Sequence, residues 1–252
     1  MLFLAAVGAW FEDTRFDPMK AWLVAAALLF VAPEAQSGCR LALALALDVS
    51  GSVDDAEYHL QMNGLATALA DAEVRAALLA APGAPVAIAV YEWSSSGYQR
   101  LVQDWVLIED QARLTALVSH LRGWQREPAP EATGIGAAMV YGQALIARSP
   151  GCWRGILDVS GDGKNNDWPV LHELKATRRL AGLEVNALVV TNPQGRAVLP
   201  PDTGELVSYF RNYVIQGPNA FVEVAQGFED YARAMQRKLL KELRSRPLGL
   251  LR

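Results

Sequence analysis

Hydrophobic and polar positions change their period along this chain: short apolar runs alternate with longer stretches in which apolar residues recur at helical spacing. Leu41 to Asp48 (LALALALD), Val86 to Trp93 (VAIAVYEW), Gly155 to Ser160 (GILDVS) and Leu183 to Val190 (LEVNALVV) have strand length and are apolar almost throughout, the pattern of strands covered on both faces. Between them, Ser52 to Asp71, Asp110 to Arg122, Gly134 to Arg148 and Asp167 to Ala181 carry helical apolar faces with caps or acids at their starts. Shorter strands near Leu101 to Leu107 and near Phe221, and a closing helix from about Ala225 to Arg244, complete the pattern. It predicts an α/β fold, a doubly wound and mostly parallel six-stranded central sheet with helices on both faces. Alanine alone would favour a helix over Leu41 to Leu47, but Val49 to Asp54 reads as a turn and cap, which places a strand-to-helix turn after Asp48.

The N-terminus departs from this alternation. Met19 and Lys20 form a short positive segment, Ala21 to Ala32 an apolar run of twelve residues, and Ala35-Gln36-Ser37 a small-x-small cleavage pattern. Twelve residues are too few for a bilayer, which needs roughly 20. Residues 19–37 therefore read as a secretory signal, with 38–252 as the exported domain and a secreted or periplasmic (bacterial) location. Residues 1–18 do not resemble a signal's n-region, which points to Met19 as the start. Cys39 follows the cut, but Gln36 stands where a lipobox prefers leucine, against a lipoprotein.

Of 252 residues, 52% are hydrophobic and 20% charged, with a formal net charge of -4, which excludes disorder and a strongly basic nucleic-acid binder. Residues 1–37 hold Glu12, Asp13, Asp17 and Glu34 against Arg15 and Lys20, so the remainder carries -2, with no electrostatic reason to seek nucleic acid or anionic lipid. The basic stretch from Arg233 to Arg252 reads as the solvated face of a helix whose Val224, Phe228, Tyr231, Met235 and Leu239 turn inward; no stable membrane insertion is expected after signal cleavage.

Three polar clusters fall at strand ends or helix starts, where ligands of doubly wound sheets bind. They are Asp48-Val49-Ser50-Gly51-Ser52, Thr133-Gly134-Ile135-Gly136-Ala137-Ala138, and Ser160-Gly161-Asp162-Gly163-Lys164-Asn165-Asn166. Two carboxylates and three hydroxyls form a hard, oxygen-only set that suits Mg²⁺ or Mn²⁺ and is poor for zinc. Taken singly, each residue has a plainer reading. Ser50 or Ser52 fits a cap for the first helix, with Asp55 imitating a capping box; Thr133 fits a cap for the helix from Gly134; and Asp162 fits a turn before glycine.

Together, the DxSxS set, the threonine in a TxxGxA context and the strand-end aspartate followed by glycine resemble the metal-ion-dependent adhesion site of von Willebrand factor A domains. The resemblance covers most of Arg40 to Arg244. Within that superfamily, the DVSGDGKNN run and the Ile215 to Phe221 stretch look like a secreted bacterial group of unassigned function, DUF1194-like. It implies Asp48, Ser50, Ser52, Thr133 and Asp162 as the shell of Mg²⁺ or Mn²⁺, and a protein partner presenting a carboxylate to the open position. It also implies that the first and fourth core strands are adjacent. Gly134 stands where many relatives carry a bulkier residue, which implies a more mobile loop. If those strands are parallel neighbours, Cys39 and Cys152 lie at one end of the sheet and can form a disulfide closing 113 residues; two buried thiols are the alternative.

An enzyme is not expected. No GxSxG, HExxH or GxxxxGK[ST] occurs, and His59, His120 and His172 fall in helical segments. A phosphotransferase using Asp48 would want a second acid where the chain has Ser50. The rival reading is a metal-dependent hydrolase of phosphate or similar esters, with the same shell activating water. Tyr91, Trp93 and Tyr98 fit either core packing or a ligand rim. Asn192 to Gly217 lacks a regular element at its start and reads either as a loop shaping specificity or as a solvated excursion.

Overall fold

A computed structural model describes residues 38–191 and 201–244. The signal segment and the proposed start at Met19 lie outside the described residues, as do 192–200 and 245–252.

Leu41–Asp48 forms β1, with every residue buried. Its alternation of Leu and Ala gives the sheet two unlike faces: Leu41, Leu43, Leu45 and Leu47 enter one core layer, Ala44 and Ala46 the other. The leucine layer takes the helices α1 (Asp55–Ala70), α2 (Ala72–Leu78), α3 (Gln111–Gly123) and α7 (Tyr231–Arg244). The alanine layer takes α4 (Ile135–Ala147), α5 (Leu171–Ala176), α6 (Pro201–Tyr209) and a π-helical turn, Phe210–Val214. Small residues let α4 lie close: a Cβ on Gly142 would stand 2.6 Å from Leu157 of β4 (Gly155–Gly161). The remaining strands are β2 (Val86–Trp93), β3 (Gln99–Ile108), β5 (Glu184–Thr191) and β6 (Val222–Gln226). Their order in the sheet is β3-β2-β1-β4-β5-β6. All pairs are parallel except β2 with β3, whose hairpin turns too tightly for a crossover helix. The architecture is the doubly wound α/β sheet expected, with β1 beside β4 as the resemblance implied.

Several boundaries differ from the sequence expectation, each for a local reason. The helix expected over 167–181 shrinks to α5, because Pro169 keeps the preceding residues out of helical backbone and Arg178 turns to φ 53°. The closing helix starts at Tyr231 rather than near Ala225. Val222 to Gln226 pair with β5, and Gly227 at φ 81° redirects the chain through a short 3₁₀ turn. Asp71 ends α1 and caps α2, accepting from Glu73 and Val74 N–H, so an unforeseen helix follows. Much of the stretch expected as a loop before Gly217 is helical, as α6 and the π turn.

A buried charged cluster fastens α7 to the sheet. Lys238 Nζ lies 2.5 Å from Asp158 Oδ2 of β4 and 2.6 Å from Glu242 Oε1, and Asn186 of β5 donates to Glu242 at 2.8 Å. At the opposite end of the sheet from Asp48, Cys39 and Cys152 form a disulfide that joins the lead-ins to β1 and β4.

Candidate metal centre

β1 and β4 are neighbours from which the chain proceeds to opposite sides of the sheet, so their carboxyl ends flank the switch point. β1 ends in Asp48, and Asp162 follows β4 directly. The turn after Asp48 is tight: Val49 N–H donates to Trp93 O and Val53 N–H to Ser50 O, at 2.9 and 3.0 Å. This brings Ser50 and Ser52 to the sheet end. Thr133 arrives from the loop before α4.

The five residues named from the sequence form one connected cluster. Ser50 N–H donates to Asp48 Oδ1 at 2.8 Å, Thr133 Oγ1 donates to Ser50 Oγ at 3.3 Å, and the Ser50 and Ser52 hydroxyls stand 3.3 Å apart. Ser52 Oγ donates to Asp162 Oδ1 at 2.6 Å. Asp48, Ser50 and Thr133 are buried, whereas Ser52 is exposed and Asp162 half-buried, so the cluster opens to solvent on one side. Asp48 Oδ2 is buried and has no hydrogen-bond partner among the described residues. Burial, reinforced by the Asp162 charge, pushes the Asp48 carboxyl up to about 7. Burial also raises Asp162.

The plainer capping readings do not describe this geometry. α1 is capped by Asp54, which accepts from Glu57 N–H while Glu57 accepts from Asp54 N–H, a complete capping box without either serine. α4 begins after Gly134 with no side-chain cap, and the Thr133 hydroxyl points to Ser50 instead. Gly134 answers to close approach: its N–H donates to Ser94 O at 2.6 Å, and a Cβ there would stand 2.8 Å from that oxygen. This gives the glycine a steric reason, where the sequence suggested a looser loop.

Other residues hold the cluster in place. Buried Gln61 of α1 donates to Asp48 O at 2.9 Å. Glu92, 1% exposed, accepts from Tyr58 OH at 2.6 Å and Trp124 Nε1 at 3.0 Å and pairs with Arg100 at 3.3 Å, tying α1 and β3 to the start of the loop that carries Thr133. Arg126 in that loop donates to Val53 O and Asp55, both in the segment that follows Ser52. None of these supports was singled out from the sequence. The signal present was a polar residue inside an apolar run, Glu92 in VAIAVYEW, which the strand pattern passes over.

Tyr91 and Trp93 are fully buried core residues rather than a rim, and Tyr98 is half-buried. His59 and His172 lie exposed on α1 and α5, while His120 Nε2 sits 2.8 Å from Val102 O. Among the described residues, no histidine joins the hydrogen-bonded cluster around Asp48. No described helix is long and apolar enough to cross a membrane.

Comparison with solved structures places the fold. A von Willebrand factor type A protein from Catenulispora acidiphila superposes with a TM-score of 0.52 at 15% identity, covering 82% of this chain and 43% of its own. The pilus adhesin SpaC from Lactobacillus rhamnosus GG gives 0.56 at 14% identity, over 82% of this chain and 31% of the adhesin. Proximal thread matrix protein 1 from the mussel byssus, in a structure with a zinc-occupied MIDAS motif, gives 0.52 at 14% identity, over 82% and 46%. The chain thus spans less than half of each of these proteins. Curated protein sequences give no match. A family described as "Protein of unknown function (DUF1194)" matches residues 38–247. The chain belongs to the DUF1194 family, and its domain has the von Willebrand factor A fold.

Proposed function

We propose that this domain is an exported interaction module that binds one divalent cation, Mg²⁺ or Mn²⁺, and through it engages an acidic group of a protein partner. The observation that carries the reading is the buried, partnerless Asp48 Oδ2 in a cluster of five converging oxygen-bearing side chains. A buried carboxylate oxygen left unpaired is costly, and a cation removes that cost. Hydroxyl separations of 3.3 Å approach the roughly 3 Å between adjacent ligands of an octahedral ion with 2.1 Å bonds. Asp48 and Asp162 supply the charge, and Ser50, Ser52 and Thr133 supply neutral oxygens. When bound, the cation would supply Lewis acidity toward an incoming carboxylate oxygen, and the cluster meets solvent at Ser52 and Asp162. The adhesin and matrix-protein structures of like fold, one with its MIDAS motif occupied by zinc, support a divalent cation and a protein partner in general. Residues 19–37, outside the described part, support export.

Isothermal titration of the oxidised full chain with Mn²⁺ tests the reading. We expect one site per chain, abolished in Asp48→Ala; equal binding by wild type and variant contradicts it. Hydrolysis of phosphate esters is the second reading. It needs a proton acceptor near the site, and the described cluster holds none beyond its own carboxylates. Turnover of p-nitrophenyl phosphate that vanishes in Asp48→Ala would favour that reading instead.

A further inference from the structure

The segment that follows Asp162 does more than end β4. Asn166 Oδ1 accepts the Thr133 N–H at 2.7 Å, and Asn166 N–H donates to Thr133 O at 3.0 Å. One residue thereby grips both backbone polar groups of Thr133. Its neighbour Asn165 accepts the Gly136 N–H at 3.0 Å, in the first turn of α4, whose own N-cap has no side chain to offer. Asn165 Nδ2 also donates to Asp167 O at 2.6 Å, which braces the loop on itself. Pro169 then packs on α4 so closely that a Cβ on Gly136 would stand 2.1 Å from its carbonyl oxygen. The Asp162 loop and the Thr133 turn are therefore one mechanical unit, although 33 residues separate Asn166 from Thr133 in sequence.

We propose that Asn166 is a positioning residue of the cation site, holding the Thr133 hydroxyl toward Ser50 while Asp162 approaches from the same loop. This rests on the cation-site reading above. Thr133 is 5% exposed, and removal of the Asn166 acceptor takes away the side-chain partner of its N–H. Outer groups that orient a ligand typically change metal affinity 10- to 100-fold when lost. Asn166→Ala deletes the side-chain acceptor and leaves the backbone bond to Thr133 O. Asn166→Asp keeps the acceptor.

The test is Mn²⁺ affinity of the oxidised full chain for wild type, Asn166→Ala, Asn166→Asp, Thr133→Ala and the double variant Thr133→Ala/Asn166→Ala, with unfolding in EDTA recorded for each. The expected result is at least tenfold weaker binding in Asn166→Ala, binding no weaker than wild type in Asn166→Asp, and no further loss in the double variant beyond Thr133→Ala. A merely structural role would lower the EDTA melting temperature while leaving Mn²⁺ affinity unchanged, and that pattern overturns the proposal. Independent, additive losses in the double variant overturn it too, since Asn166 would then not act through Thr133. If wild type binds Mn²⁺ and Asn166→Ala binds equally well, only the positioning role falls. If wild type binds none, the cation site falls with it.

Discussion

Asp48 carries an unusual burden for a residue at the end of an apolar strand. With its carboxyl pushed up to about 7 by burial and Asp162, the metal-free fold resists its ionisation. In the unfolded chain the same group ionises near 3.9, so as pH rises from about 4 to 7 the unfolded state releases its proton first and the metal-free protein loses stability. Above about 7 the loss is complete. Asp48→Asn removes this penalty: in EDTA at pH 8 we expect the variant to be more stable than wild type, on the order of 2–4 kcal/mol, with the difference shrinking toward pH 5. Denaturant unfolding at the two pH values checks this, and a variant less stable than wild type at pH 8 would show that burial is not what strains the carboxylate. The identities of the five cluster residues were legible in the sequence because DxSxS, a helix-start threonine and a strand-end Asp-Gly are local patterns. Asn166 was picked out only as part of the polar run after β4, and neither its role nor Gln61 and Glu92 were legible, since their partners are 33, 13 and 34 residues away and no local spacing signals them.

At the scale of elements, the strands were read more faithfully than the helices. β1 and β2 match the apolar runs because a strand buried on both faces needs nothing but continuity of apolar residues. Helix ends depend on single residues whose competing roles spacing does not reveal: Asp71 as a cap, Pro169 as a barrier to an earlier start, Gly227 as a reversal. The lysine of the closing helix is another such case, for Lys238 reads as part of a solvated basic face yet is 0% exposed between Asp158 and Glu242. Lys238→Met should cost about 3–5 kcal/mol at pH 8, because it leaves two buried carboxylates without their cation. The deficit should narrow toward pH 5 as Asp158, which burial pushes up to about 7, takes up a proton, and a pH-independent loss would point to packing alone. Gly136→Ala should cost about 1–3 kcal/mol and also weaken Mn²⁺ binding, since the added methyl forces Pro169 and its loop off α4. Unfolding together with Mn²⁺ titration measures both effects.

Across the whole molecule, the two ends of the sheet carry separate duties. The Cys39–Cys152 bridge closes a separation of 113 residues at the end away from Asp48. Loop closure of that size contributes up to about 4.7 kcal/mol, so reduction should lower the melting temperature while leaving Mn²⁺ affinity unchanged. The opposite end gathers its oxygen atoms from three loops around one switch point, and that convergence is the core of the functional proposal. Thermal unfolding of the oxidised full chain in EDTA and in excess Mg²⁺ or Mn²⁺, for wild type and Asp48→Ala, addresses it most directly. At about 100 times the dissociation constant, a cation that binds only the folded state adds about 2.7 kcal/mol. We expect that stabilisation in wild type and its disappearance in Asp48→Ala; equal melting with and without cation in wild type, or an equal shift in the variant, would contradict a cation site at Asp48.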